Sequence, residues 1–254
     1  MIDFLRYDFG YSWPWTYGHL IVAIVSGAAA ALAWWSHRRV IAGIFAVLCA
    51  WAAAGALLVH GPMGFSRPLT LPTEDFLPSG GGHVLDAGAG SGRATIMVLQ
   101  SRPRSTVVAL DIYSGYYGID DNTPDRLMAN ARAAGASGRV EARVGDIRAM
   151  PFEAGSFDAA VSTYVIDHLN RDGVNRSLAE IARVLRPDGQ FLMMIINPDL
   201  WVRVAFPHLA AHGYFGPGAP AERWRTALDA AGLPVVEQGT RPGTLYFLAK
   251  KGRA

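Results

Sequence analysis

The stretch His83-Val84-Leu85-Asp86-Ala87-Gly88-Ala89-Gly90-Ser91-Gly92 decides how the rest of the chain is read. A short apolar run ends near an acid, three glycines follow at alternate positions, and Arg93 to Gln100 then takes up a helical pattern. Glycines at that spacing let a backbone turn sharply and approach a ligand without Cβ clashes. The loop is G-x-G-x-G, and a dinucleotide-binding fingerprint wants a further glycine at position 93, where this chain has Arg93. Glycines also make ordinary strand-to-helix turns, so the loop alone is a moderate signal, and Asp86 just before the turn strengthens it.

Working outward, strand-like runs alternate with helical ones. Strands are expected at His83 to Ala87, Thr106 to Asp111, Val140 to Val144, Phe157 to Thr163, Phe191 to Ile196, Val235 to Gln238 and Leu245 to Lys250. Helices are expected at Arg93 to Gln100, Asp125 to Ala134, Val174 to Leu185 and Glu222 to Ala231. This alternation predicts an α/β sheet covered by helices on both faces. The short turn Thr240 to Gly243 makes the last two strands an antiparallel pair. Open sheets of this kind bind ligands beyond the carboxyl ends of their strands. Asp111 ends the second strand, 19 residues after Gly92, where a carboxylate can accept hydrogen bonds from both ribose hydroxyls. Gly145-Asp146-Ile147 follows the third strand, so Asp146 can accept from an adenine amine while Ile112 and Ile147 sandwich the ring. Each acid alone is more often a cap or a solvated loop residue. Three of them behind one glycine loop point to a nucleoside-containing ligand.

These segments, with Pro151-Phe152 before Ser156-Phe157-Asp158 and with Arg183-Val184-Leu185-Arg186-Pro187-Asp188-Gly189, resemble the class I S-adenosylmethionine-dependent methyltransferases. The likeness is nearest to the subgroup that methylates quinones, sterols and lipids, and it covers about Ser79 to Lys250. It implies a Rossmann-like seven-stranded sheet with an antiparallel last strand, and S-adenosylmethionine as cofactor. It places Asp86 and Gly88 near the methionine moiety, Asp111 at the ribose, and Asp146 with Ile147 at the adenine; Gly90, Ile112 and Thr163 complete the expected cofactor-facing set. Two features depart from the family's common core. The segment from Tyr113 to Thr123 is longer than usual and reads as a lid, and the N-terminal 60 residues are additional.

That N-terminal part is apolar. From Phe9 to Ser66 the charged residues are Arg38 and Arg39, which divide two runs, about Tyr17 to Trp35 and about Val40 to Val59. Each is close to the ~20 residues a helix needs to cross a bilayer. Tyr11, Trp13, Trp15 and Tyr17 before the first run, and Trp34 and Trp35 at its end, suit the membrane–water interface. Gly27 and Ala31, then Ala42, Ala46 and Ala50, offer small faces for close helix packing. The expected organisation is a transmembrane hairpin over 1–60, a Pro- and Gly-rich linker over 61–82 with a short helix at Thr73 to Leu77, and a catalytic domain over 83–254. Arg6 and Arg67 on the flanks tie with Arg38 and Arg39 at the tip, so charge leaves orientation open. S-adenosylmethionine is made in the cytosol, and the expectation is therefore an inner (cytoplasmic) membrane protein with its catalytic domain in the cytoplasm.

Composition narrows the partners. The chain of 254 residues is 51% hydrophobic and 17% charged, with a net charge of +2 and no basic stripe for nucleic acid. One cysteine, Cys49, excludes an internal disulfide framework and a cysteine-cluster metal site, and no metal is expected. The expected acceptor is small or lipophilic: first a small hydrophobic thiol or sulfide, then a membrane quinone or lipid. Candidate catalytic groups are Thr163, Tyr164 and above all Asp167 and His168 at and after the end of the fourth strand, and Tyr116 and Tyr117 in the inserted loop, with His208 and His212 weaker. His168 can take a proton near neutral pH while Asp167 holds it, although a helix cap or packed histidine explains the pair as readily. A membrane scaffold that keeps the cofactor fold without catalysis is the alternative from another class, and a nicotinamide-dependent oxidoreductase a remoter one.

Overall fold

The structure, a computed structural model, describes residues 6–115, 119–197, 199–206 and 221–252. Two helices come first, α1 (Trp13–Trp35) and α2 (Arg39–His60). They pack along their small residues: Cys49 Sγ donates to the Ala23 carbonyl at 3.3 Å, and a Cβ added to Gly27 would sit 3.3 Å from that sulfur. Both are long and apolar enough to cross a membrane, and in their most apolar windows 11% and 22% of residues are buried. Most of their apolar surface therefore faces outward, unlike that of a core helix in a soluble protein.

The sheet contains seven strands: β1 (His83–Ala87), β2 (Thr106–Asp111), β3 (Val140–Val144), β4 (Phe157–Thr163), β5 (Leu185–Ile196), β6 (Val235–Arg241) and β7 (Thr244–Lys250). Their order is β3-β2-β1-β4-β5-β7-β6, and β7 runs antiparallel to both its neighbours, as the family likeness implied. The helices α3 (Arg93–Ser101), α4 (Pro124–Ala133), α5 (Arg171–Val184), α6 (Leu200–Ala205) and α7 (Ala221–Ala230) complete the regular elements. Side-chain caps fix several starts. Thr123 accepts from Arg126 N, Asn170 from Gly173 N and Asp199 from Val202 N. Strand β5 begins earlier than expected. Pro187 keeps Arg186 out of helical geometry, so α5 stops at Val184 and the chain joins β4 at Leu185 before a register shift.

The expected short helix at Thr73 to Leu77 does not form; the segment is a series of turns. Tertiary contacts take up the backbone groups a helix would have used. Phe76 is fully buried, Leu77 has φ +48°, and its N–H donates to Gln190 Oε1 at 2.7 Å. Arg102 donates to the carbonyls of Phe76 and Glu74, and Arg241 to that of Pro72. The whole connector is thus fastened to the sheet. Nearer the hairpin, buried Arg93 donates to the carbonyls of Arg67 (2.9 Å), Met63 (2.7 Å) and Gly64 (2.8 Å) and to the Tyr11 hydroxyl (3.2 Å). Its guanidinium also lies 5.5 to 6.0 Å from the ring centroids of Phe9, Tyr11 and Phe65.

Arg93→Ala removes the side-chain donor from the carbonyls of Arg67, Met63 and Gly64, of which Gly64 keeps the Arg67 N–H. It is expected to cost about 3 kcal/mol or more, read as a lower unfolding temperature, and to open the peptide bonds of residues 63–69 to limited proteolysis while the sheet stays intact.

Candidate active site

The glycine loop leaves β1 and enters α3 through three left-handed glycines, Gly88 (φ +85°), Gly90 (φ +51°) and Gly92 (φ +93°). Gly88 also tolerates no side chain, because a Cβ there would meet Val165 at 2.5 Å. The Gly88 and Ala89 N–H groups donate to the Leu110 carbonyl, and Gly90 N donates to Asp111 Oδ2 at 2.8 Å. Asp111 Oδ1 accepts from Tyr113 N at 2.6 Å and from the Asn122 amide at 3.3 Å. One carboxylate therefore couples the glycine loop, the end of β2 and the inserted segment.

A cavity of about 650 Å³ opens beside this loop. It brings together eight of the residues picked from sequence: Gly88, Gly90, Asp111, Ile112, Asp146, Ile147, Thr163 and His168. Asp146 meets it with its oxygens largely engaged, since Arg148 binds both of them through Nε and Nη2 at 2.6 to 3.0 Å. That hydrogen bonding holds the Asp146 carboxyl below its usual range. Asp86 does not line the cavity. It is buried beneath the loop, with Oδ2 accepting from Thr95 Oγ1 at 2.6 Å and Oδ1 without a partner. Asp167 lies in the 3-10 turn Ile166–His168, also behind the cavity wall, where its Oδ2 accepts from Ile196 N at 2.9 Å and braces the end of β5. Tyr116, Tyr117, His208 and His212 lie outside the described residues.

Of the other lining residues, only Tyr164 is a candidate for the site from sequence. Asn122 presents a buried Oδ1 without a partner beside Asp111. Tyr164 takes φ +56°, and its buried hydroxyl, pushed up by burial, pairs with Thr244 Oγ1 at 2.6 Å. The far wall is built by Tyr11, Trp15, Met63, Phe65 and Leu69, from the hairpin's lead segment, its base and the connector, together with Ile196. Tyr11 and Phe65 stack at 4.5 Å. The lead segment also holds the inserted loop in place: Tyr11 bridges Ile119, and Asp120 N donates to the Gly10 carbonyl at 2.6 Å. Tyr11 and Trp15 look in sequence like interface aromatics, and no local signal ties them to a site some 80 residues further on.

The residues fit a sulfonium nucleoside. The glycine cradle admits close backbone approach, Asp111 and Asn122 present acceptors for hydroxyls, and Ile112 and Ile147 flank a space for a ring.

Residues 84–189 match the family model described as a methyltransferase domain. The ubiquinone/menaquinone biosynthesis C-methyltransferase UbiE of Methylobacterium nodulans is 34% identical over 113 residues, 44% of this chain and 41% of that protein. Uncharacterized protein Rv1403c of Mycobacterium tuberculosis is 32% identical over 177 residues, 65% of this chain and 57% of that one. The solved 1,6-didemethyltoxoflavin-N1-methyltransferase of Burkholderia thailandensis superposes with a TM-score of 0.51 at 22% identity, covering 92% of this chain and 90% of its own. This chain spans 29% to 57% of the length of the first curated relatives it matches. The sheet and its glycine loop have the Rossmann-like methyltransferase fold, and the match to the methyltransferase domain model lies within them.

Burial pushes the Asp86 carboxyl up to about 7, against the lowering by Thr95, with Asp111 adding to the rise. Between the ordinary carboxylate range and about pH 7 the folded protein keeps a proton that the unfolded chain releases. Stability is therefore expected to fall as pH rises through that window, by a few kcal/mol in all, and then to level off. Asp86→Asn should flatten the profile of unfolding temperature against pH. Asp111→Ala is expected to weaken S-adenosylmethionine binding about tenfold or more, measured by titration calorimetry.

Proposed function

We propose that this protein is a membrane-anchored methyltransferase that transfers the methyl group of S-adenosylmethionine to a lipophilic acceptor. The observation that carries the reading is the far wall of the cavity. Tyr11, Trp15, Met63, Phe65 and Ile196 face the glycine loop across one space, and four of the five come from the hairpin's lead segment, its base or the connector. An apolar, aromatic wall favours an acceptor that partitions from water. The two apolar helices hold that wall at the membrane, which raises the local concentration of lipid-phase acceptors. Their outward apolar surface supports anchoring, and the cytosolic origin of the cofactor supports a cytoplasmic domain at the inner membrane.

S-adenosylmethionine, when bound, supplies a methyl group already activated by a sulfonium. What the chain contributes is alignment and exclusion of water. Gly88 and Gly90 set the floor, Asp111 and Asn122 fix a nucleoside, and Tyr11 with Phe65 closes the opposite side. His168 lines the same space and is placed to accept the proton an acceptor hydroxyl or thiol loses as its oxygen, sulfur or ring carbon is methylated. Asp167, behind the wall, fixes the 3-10 turn that carries His168.

The aromatic wall and the likeness to ubiquinone/menaquinone biosynthesis C-methyltransferases favour a membrane quinone or related lipid. A histidine base in a compact site favours a small hydrophobic thiol or sulfide. Incubation with methyl-labelled S-adenosylmethionine separates them: label in a lipid extract of native membranes supports the first, and label in volatile thioethers formed from methanethiol supports the second. Label in neither, from protein that binds the cofactor, points to the non-catalytic scaffold. With the acceptor in hand, His168→Ala should lower kcat about 100-fold or more. Phe65→Ala should raise the acceptor KM about tenfold and change S-adenosylmethionine affinity little.

A further inference from the structure

The geometry points to α6 as a foot embedded in the domain-side leaflet of the bilayer; the inference rests on the hairpin crossing that bilayer. Helix α6 follows β5 and touches the sheet at Ile196, the last residue of that strand. It lies against the flank of the hairpin. Trp51 Nε1 donates to the Val204 carbonyl at 3.0 Å, and His19 Nε2 lies 3.0 Å from the Ala205 carbonyl. Val202, Ala205 and Phe206 are buried against Leu58 and Val59, and Phe206 stacks on Trp15. Gly55 makes the seat, since a Cβ there would meet the His19 ring at 2.2 Å.

The depth of this seat carries the argument. Trp51 is twelve residues along α2 from Arg39 at the hairpin tip, about 18 Å at the rise of a helix. His19 is sixteen residues from Trp35 on α1, about 24 Å from the same end. A hydrocarbon layer is about 30 Å thick, so a hairpin whose tip arginines reach the far headgroups places both anchoring side chains inside the near leaflet. The exposed face of α6 carries Leu200, Val204 and Arg203, and suits a position just below the headgroups, which the long Arg203 side chain can reach. Leu200 is 73% and Val204 47% exposed, while the backbone carbonyls toward its C-terminus are paired with Trp51 and His19. Satisfying such carbonyls internally is what an apolar medium demands. Trp15 and Ile196 belong both to the α6 cluster and to the cavity wall, so the acceptor cavity stands one layer of side chains from lipid.

Single cysteines at Leu200, Val204, Leu48 and Arg143 test this in full-length Cys49→Ser protein. They are spin-labelled and reconstituted into vesicles of phosphatidylcholine and phosphatidylglycerol. Power saturation against oxygen, which concentrates in lipid, and against a water-soluble nickel chelate reads the surroundings of each label. Positions 200 and 204 are expected to match Leu48 on the hairpin, with several-fold less nickel accessibility than Arg143 on the outer strand β3. If Leu48 reads as lipid but either Leu200 or Val204 reads as water, the embedded foot is wrong and the crossing hairpin stands. Nickel access at Leu48 as well would overturn both. Leu200 and Val204 are both exposed, so a label at either displaces no packed core.

Discussion

The guanidinium of Arg93 leaves the first turn of α3, beside the glycine loop, and ends among backbone carbonyls of the connector. Its hydrogen-bond partners are three carbonyl oxygens and a phenol, and aromatic rings surround it. A buried cation is tolerable only where such oxygens replace water. The carbonyls in turn have no intrahelical partner, because the chain has just left α2 and follows no regular element until β1. Cation and carbonyls therefore satisfy one another, and in doing so set the distance between the apolar hairpin and the glycine loop. The far wall of the cavity stands where it does because of this arrangement.

A second layer of contacts extends the same junction. Asn130 on α4 exchanges hydrogen bonds with the backbone of Asp8 and also donates to the Ser91 carbonyl in the glycine loop. Arg126, from the same helix, pairs with Asp8 and Asp121. The lead segment, the loop that follows Gly90 and the inserted segment thus share partners on one helix. Such groups couple because each fixes the position from which the next donates or accepts.

How much of this was legible follows from the range of each signal. The seven strands, the glycine loop and the clustering of Asp111, Asp146, Ile147 and His168 at one cavity came from local periodicity and strand-end logic, and the sheet kept those placements. Asp86, which the family likeness places near the methionine moiety, lies in the layer beneath the glycine loop, against Thr95. The Thr73 to Leu77 segment was read from its composition as a helix, and Phe76 and Gln190, 114 residues apart, decided otherwise. Arg93 was visible as a departure from a dinucleotide fingerprint, but its partners lie 26 to 82 residues away, beyond any pattern along the chain. The same holds for Tyr11 and Trp15, whose place before an apolar run suits an interface and whose place in the fold is the wall of a site.

The junction at Arg93 also bears on how such a protein can change over generations. An anchor joined by a slack tether can be exchanged for another by recombination, because nothing in the enzyme depends on its sequence. Here residues 8–11 and 63–67 answer to Arg93, Asn130 and Ile119, so hairpin and sheet are inherited as one unit. A hairpin borrowed from elsewhere would arrive with the wrong carbonyls and the wrong rings, and the lineage would lose the far wall of its cavity.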